Sequence, residues 1–149
     1  VVKFGLDSYC SYQRGDVKNS LDIIEKSRNQ YATDPLLYGL HSFVLYRYGR
    51  GDEARVLASL PSAEKSILMK TTIGMVCADK KDWSCAEKNF SQVSQIPIYN
   101  TVNIDKGLAQ SYYELGKRDQ SMKWMQKGLE TSSHYGPLLE LKEKIINEQ

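Results

Sequence analysis

The stretch Gly116-Lys-Arg-Asp-Gln-Ser121 has three counterparts earlier in the chain. They are Gly15-Asp-Val-Lys-Asn-Ser20, Gly49-Arg-Gly-Asp-Glu-Ala54 and Lys81-Asp-Trp-Ser-Cys-Ala86. The four stretches begin at residues 15, 49, 81 and 116, which are 34, 32 and 35 residues apart, and each lies between two segments with a helical pattern. This period, with a helix–turn–helix in every unit, is typical of a helical repeat array. Because one unit cannot bury its apolar face alone, we expect neighbouring units to stack.

Small residues recur at two fixed distances from these turns, seven residues before and five residues after each turn start. Two antiparallel helices joined by a tight turn can pack closely only if small residues meet where they cross. The eight positions are Ser8, Ser42, Gly74 and Ala109 before the turns, and Ser20, Ala54, Ala86 and Ser121 after them. An ordinary helical bundle would have to place small residues in register four times by accident, so the pattern favours a repeat.

Aligned on these turns, the chain resembles the tetratricopeptide repeat (TPR) family over roughly residues 2 to 135. The small crossing pairs, the turn sequences and the run Tyr112-Tyr113-Glu-Leu-Gly116 carry the resemblance. The chain departs from the family where Lys70 and Asp105 replace the large aromatic that often opens a first helix, and where Lys81 replaces the turn glycine. The resemblance implies an all-α fold, a right-handed superhelical array of antiparallel helix hairpins with about four repeats and a C-terminal capping helix.

Prolines place the boundaries between these units, because the residue before a proline avoids the helical region. We predict a single TPR-like domain, 1–149, with repeats at about 2–34, 35–61, 62–97 and 98–135 and a capping helix at about 138–147. The predicted helices span about 2–13, 17–31, 36–48, 52–60, 63–79, 83–95, 101–115, 119–131 and 138–147. Ser62 is the expected N-cap of the long fifth helix, so Ala63 would begin that helix beside a loop. The capping helix would dock with Leu138, Leu141, Ile145 and Ile146.

Composition excludes several classes of function. The 149 residues are 41% hydrophobic and 26% charged, as in an ordinary globular domain. No run approaches the ~18 apolar residues of a membrane span, so we expect no direct membrane insertion. With a net charge of +2 and no basic row, we expect no nucleic-acid binding. The chain begins at Val1 rather than at methionine, which indicates an excised fragment or a processed mature form.

In repeats of this kind, the first helix of each pair lines the concave face. Tyr12, Tyr46 and Tyr113 recur three residues before their turns, and aromatic side chains provide large contact area at low entropic cost. The alternative is that these rings pack as ordinary core. We predict an aromatic groove for a partner peptide or helix, formed by Tyr9, Tyr12, Phe43, Tyr46, Arg47, Met75, Lys106, Gln110 and Tyr113.

Motifs for chemistry are missing from the sequence. No Cys-x-x-Cys pair or phosphate-binding glycine loop is present, and His41 occupies an apolar helical position typical of a packed histidine. We therefore expect no catalytic residues, no metal and no cofactor. TPR domains that grip chaperone tails use a two-carboxylate clamp of Lys, Asn and Arg side chains. The matching positions here are Gly5, Tyr9, Leu40, Leu68 and Thr72, so that clamp is not expected.

The cysteines give a further expectation. Cys77 and Cys85 stand four residues on either side of Lys81, and in a tight antiparallel hairpin such positions lie within disulfide reach, about 4.4–6.8 Å between Cα atoms. Sel1-like repeats, which are relatives of the TPR, place a disulfide similarly. The alternative is two free cysteines packed as small apolar residues. Cys10 would have no cysteine partner in the chain, and we expect it to be half-buried.

These observations predict a non-enzymatic adaptor or assembly factor that binds a protein or peptide partner. The resemblance implies a bacterial envelope, pilus or secretion-system assembly protein, and a disulfide would favour the periplasm over the cytoplasm. A cytosolic secretion-type TPR chaperone is the alternative, and a self-assembling scaffold is a third.

Overall fold

A computed structural model describes residues 2–99 and 101–147 of the chain, without the side chains of Val2, Ser62 and Tyr99. This part contains nine α-helices and two short 3-10 turns, and no strand. The helices are α1 (Val2–Gln13), α2 (Val17–Gln30), α3 (Pro35–Arg47), α4 (Gly51–Ala58), α5 (Ile67–Asp79), α6 (Trp83–Ser94), α7 (Val102–Glu114), α8 (Arg118–Thr131) and α9 (Gly136–Asn147). Eight of the nine predicted helices begin and end within two residues of these bounds. Within the described ranges, no helix is long and apolar enough to cross a membrane.

All four predicted turns adopt the same backbone conformation at their first residue. Gly15, Gly49 and Gly116 have φ angles of 78°, 75° and 72°, and Lys81 has a φ of 59°. These values lie in the left-handed region, where glycine is favoured because it has no Cβ. The turn that lacks glycine therefore has the same geometry as the other three.

All eight small residues are buried, as expected of residues at close helix crossings. At one crossing, the Ser8 and Ser20 hydroxyls each donate to the other residue's backbone carbonyl, both at 2.9 Å. At another, the Ser121 hydroxyl donates to the Ala109 carbonyl at 2.8 Å. At Ser8, Ser20 and Ser121 the facing helix backbone satisfies the buried hydroxyl, whereas the Ser42 hydroxyl is buried without a partner among the described residues. The register predicted from the sequence is confirmed.

The chain divides into two compact units, one ending at Val76 and the other starting at Cys77. The first contains a core cluster of Leu21, Val44, Leu45, Ala54 and Val76. The second contains a core cluster of Ala109, Met125, Leu138, Leu141 and Ile145. Helix α9 contributes three residues to this second cluster, as expected of a capping helix. Ile146 was expected on the docked face but is 54% exposed.

The predicted start of the fifth helix at residue 63 is wrong. Pro61–Ala63 forms a 3-10 turn, and α5 begins only at Ile67. The hydroxyl of the buried Ser66 accepts a hydrogen bond from the Met69 N–H at 3.2 Å, which satisfies an otherwise free donor at the helix start. Ala63 is fully buried and does not begin a helix beside a loop. Ser62 was expected to be the N-cap, and its side chain lies outside the described part of the chain.

The packing of α5 against α3 explains why α5 begins later than predicted. A Cβ added to Gly39 would lie 2.9 Å from the Leu68 Cβ and would also meet the Ser66 hydroxyl. The lack of a side chain at Gly39 thus lets the first turn of α5 pack directly against α3. That close approach fixes where the helix begins, and it depends on a residue 27 positions before Ser66 in the chain.

Candidate functional site

Four aromatic rings gather around the C-terminal ends of α1 and α3. The Tyr12 ring centroid lies 5.8 Å from that of Tyr9, 5.8 Å from that of Phe43 and 6.0 Å from that of Tyr48. The contacts with Phe43 and Tyr48 are edge-to-face, a favourable geometry for aromatic pairs. Tyr12, Phe43 and Tyr48 are half-buried and Tyr9 is 43% exposed. This arrangement leaves aromatic surface facing water.

Arg47 completes this group, which we call the Tyr12 cluster (Tyr9, Tyr12, Phe43, Arg47 and Tyr48). The Arg47 Nε–H donates a hydrogen bond of 2.8 Å to the Tyr12 hydroxyl, joining the last turn of α3 to the last turn of α1. Arg47 itself is exposed. The cluster therefore presents apolar rings and one cation side by side.

Tyr48 is the member that the sequence analysis missed. It stands one residue before the turn glycine Gly49, whereas the recurring tyrosines stand three residues before their turns. The corresponding residues of the other units are Arg14, Lys80 and Leu115, so no recurring aromatic marks this place. In the sequence, Tyr48 could be recognised only as a tyrosine at the C-cap of a helix. Its contact with Tyr12 results from the packing of α1 against α3.

Two other predicted residues of the first unit, Tyr46 and Met75, are not among the five residues that define the Tyr12 cluster. Tyr46 is half-buried and packs against the first core cluster, so its ring contributes to the core. Met75, on α5, is half-buried. The alternative that the predicted rings serve as core thus applies more to Tyr46 than to Tyr12.

The remaining predicted residues, Lys106, Gln110 and Tyr113, lie on α7 in the second unit and are half-buried. Gln110 donates a 2.7 Å hydrogen bond to the Glu114 carboxylate. The Lys144 ammonium of α9 lies 4.5 Å from the Tyr113 ring centroid and 3.9 Å from the Glu114 carboxylate. Tyr113 also packs against the second core cluster. The capping helix therefore covers part of this predicted surface.

The cysteine prediction is confirmed in one respect and wrong in another. Cys77 and Cys85 form a disulfide with Cα atoms 5.8 Å apart. Asp82 lies beside it and caps α6, accepting a hydrogen bond from the Cys85 N–H at 3.2 Å. These three side chains form a group with metal-ligating potential within the described residues, but both sulfurs are used in the disulfide. Cys10, expected to be half-buried, is exposed, because it lies on the face of α1 opposite its helix crossing.

His41 is packed in the interior of the first unit, as predicted. Its Nδ1 lies 2.8 Å from an Arg28 guanidinium nitrogen, so the ring accepts there and is neutral. Burial, with the nearby guanidinium groups of Arg28 and Arg50, lowers the pKa of His41 to about 4. Arg28 in turn stacks over the Tyr38 ring at 4.3 Å. This network joins α2 to α3 and lies in the core rather than in the Tyr12 cluster.

Asp105 is a buried carboxylate in the second unit, at the position where the family often has a large aromatic. It is 1% exposed, and its carboxylate lies 3.4 Å from the Lys127 ammonium. Burial raises the pKa of Asp105, and the lysine opposes that shift. The ion pair compensates a charge that would otherwise be costly to bury.

The solved structures contain a close match to this helical arrangement. The crystal structure of a thermophilic TPR protein from Thermus thermophilus has a TM-score of 0.66 and 20% sequence identity, over 97% of this chain and 78% of that chain. At this level of identity the likeness establishes the fold. The chain therefore has a TPR-like helical repeat fold, as predicted. No protein-family model and no curated protein sequence matches it.

Proposed function

We propose that the protein is a non-enzymatic protein–protein interaction module and that the Tyr12 cluster is the main contact surface for a partner peptide or helix. The observation that carries the proposal is the placement of Tyr12. Its ring contacts three other aromatic rings while its hydroxyl accepts from Arg47. Tyrosine, tryptophan and arginine are the residues most enriched where interfaces gain their binding energy.

The cellular compartment in which the protein binds its partner is a further part of the proposal. The Cys77–Cys85 disulfide supports an oxidising compartment, because disulfides are rare where thiols are kept reduced. An assembly factor of a bacterial envelope, pilus or secretion system fits that environment. A cytosolic secretion-type chaperone would have to keep the two cysteines reduced.

The test compares partner recovery with protein stability. Partners are co-purified from a source lysate with wild-type protein and with Tyr12→Ala, Tyr46→Ala and Tyr113→Ala. Truncating an aromatic anchor commonly costs upwards of about 2 kcal/mol of binding free energy, roughly a thirtyfold loss of affinity. We expect Tyr12→Ala to lose partners without a large change in melting temperature. Tyr46→Ala and Tyr113→Ala should also lower the melting temperature, because both rings pack against core clusters.

Tyr31→Ala is the matched control. Tyr31 is another half-buried tyrosine of the first unit, and its ring contacts that of Phe4 at 6.0 Å, outside the Tyr12 cluster. This variant should retain partners. If Tyr12→Ala recovers the same partners as wild type, the Tyr12 cluster is not the binding surface.

A further inference from the structure

We propose that the Tyr12 cluster selects an acidic side chain, an Asp or Glu within a partner segment that has apolar residues on both sides of it. The proposal rests on the proposed function and names the chemistry of the partner. It is carried by the hydrogen bond between Arg47 and Tyr12 and by the positions of the surrounding rings.

The first step concerns the direction of the donors. The Tyr12 oxygen accepts the Arg47 Nε–H, so the Tyr12 hydroxyl hydrogen is free to donate away from Arg47. The guanidinium keeps its four other N–H groups, since it carries five in all. The pair thus presents several donors side by side, and such a surface is complementary to an acceptor-only group such as a carboxylate.

The second step concerns charge. Among residues 2–99 and 101–147, no carboxylate forms an ion pair with Arg47. Arg50, three residues later, shows how such a charge is satisfied within the chain. Two of its guanidinium nitrogens donate to the two oxygens of Glu53, both at 2.6 Å. Arg47 instead has a tyrosine hydroxyl as its partner, which restricts its orientation and leaves its charge for a ligand.

The third step concerns the flanks of the site. The rings in contact with Tyr12 come from both helices, Tyr9 from α1 and Phe43 and Tyr48 from the end of α3. A carboxylate bound to the Tyr12 hydroxyl would therefore lie close to aromatic rings from both helices. An acidic residue inside a segment can place apolar neighbours on both flanks, whereas a chain-terminal carboxylate can do so on only one. The geometry thus favours an internal Asp or Glu.

The experiment is a selection from a displayed library of random peptides with blocked C-termini, repeated with a library that has free C-terminal carboxylates. The protein used is the whole chain with its disulfide intact. We expect wild-type protein to enrich, from the blocked library, peptides with Asp or Glu between apolar or aromatic residues. The enriched peptide and its Gln or Asn counterpart are then synthesised, and their affinities are compared.

Replacing the acidic residue of the peptide should weaken binding about tenfold, as expected for a hydrogen bond to a charged group. Arg47→Gln should remove that tenfold difference while retaining the preference for apolar residues, and Tyr12→Phe should reduce the difference. Arg55→Gln, at an exposed arginine of α4, removes the same charge elsewhere in the first unit and should leave the difference intact.

Four results of the peptide experiments would overturn the inference. These are no enrichment, enrichment without an acidic residue, an acidic preference that survives Arg47→Gln, and enrichment only at free C-terminal carboxylates. Sedimentation that shows self-association abolished by Arg47→Gln would assign the surface to a second copy of the chain and would also overturn it. The proposed function is judged separately, by co-purification with Tyr12→Ala, and could stand if this inference fails.

Discussion

Lys81 occupies the same left-handed backbone region as the turn glycines, although it has a Cβ. For a residue with a side chain, this conformation costs roughly 1–2 kcal/mol, while glycine loses about 0.5–1 kcal/mol more conformational entropy on folding. Cys77 and Cys85, which the disulfide joins, stand four residues on either side of Lys81, and Asp82, the next residue, caps α6. The disulfide therefore constrains the hairpin whose turn has lysine in place of glycine, while a capping aspartate also follows the turn glycine Gly15.

The first prediction concerns these turn residues. Lys81→Gly should leave stability unchanged or raise it by up to about 1 kcal/mol, whereas Gly116→Ala should lower it by about 1 kcal/mol. Gly136→Ala is the control, because an added Cβ meets nothing within 4 Å at Gly116 or at Gly136, but only Gly116 has positive φ. Urea denaturation measures all three. Equal effects at the two glycines would mean that the backbone conformation of the turn is not responsible.

At the scale of the helices, small residues set the distance between partners. Ala54 and Ala86 are completely buried on second helices, and the serine pair of the first hairpin is satisfied by the facing backbone. A larger side chain at such a crossing must push the neighbouring helix away, because a close-packed interior has no free space for it.

The second prediction follows from this packing. Ala86→Leu should lower the free energy of unfolding by roughly 1–3 kcal/mol or more through overpacking. Ala32→Leu, at an exposed alanine, should change it by less than about 0.5 kcal/mol. Ala63, which was expected beside a loop, is not a suitable control for this substitution, since it is fully buried. Small and similar effects at positions 86 and 32 would contradict close crossing at α6.

The third prediction concerns the α5–α6 hairpin. The disulfide closes a short loop, and its removal should cost about 2–3 kcal/mol of stability on the loop-entropy model. Unfolded protein should react with one equivalent of thiol reagent before reduction, from Cys10, and with three after it. A Cys77→Ser/Cys85→Ser double variant should have the stability of the reduced protein. Three reactive thiols without reductant would contradict the disulfide.

At the scale of the whole molecule, stability should depend on the protonation of His41. The folded-state pKa of about 4 lies below the ordinary value of 6.5, so the folded protein disfavours the proton that the unfolded chain accepts. The stabilisation is complete above about pH 6.5 and is lost as the pH falls to about 4. The difference corresponds to about 3 kcal/mol.

The fourth prediction is therefore that His41→Leu flattens the decline in stability between pH 6.5 and pH 4, measured by denaturation at several pH values. The variant is expected to be less stable near neutrality, because Arg28 loses its acceptor. Burial raises the pKa of Asp105, which acts in the opposite direction, but both proteins contain that residue and the comparison cancels it. An unchanged slope would mean that His41 accepts a proton without unfolding.

The helices, the turns and the small residues at the helix crossings could be predicted from the sequence. These features are local: a left-handed turn, a proline boundary and a helical period are encoded within a few consecutive residues. The predicted register of the turns therefore agrees with the positive φ angles at all four positions. The disulfide could also be predicted, since both cysteines lie in one hairpin.

Which side chains of the predicted surface stay accessible to solvent could be learned from the tertiary structure alone. Tyr12 and Tyr113 hold equivalent places in their repeats, but Tyr12 joins three aromatic rings, whereas Tyr113 is partly covered by Lys144. Tyr48 belongs to the cluster although no aromatic residue recurs at its position in the other repeats. The physical reason is that the exposure of a side chain depends on neighbours that are distant in the sequence, and a repeat pattern does not specify which neighbours lie beside each unit.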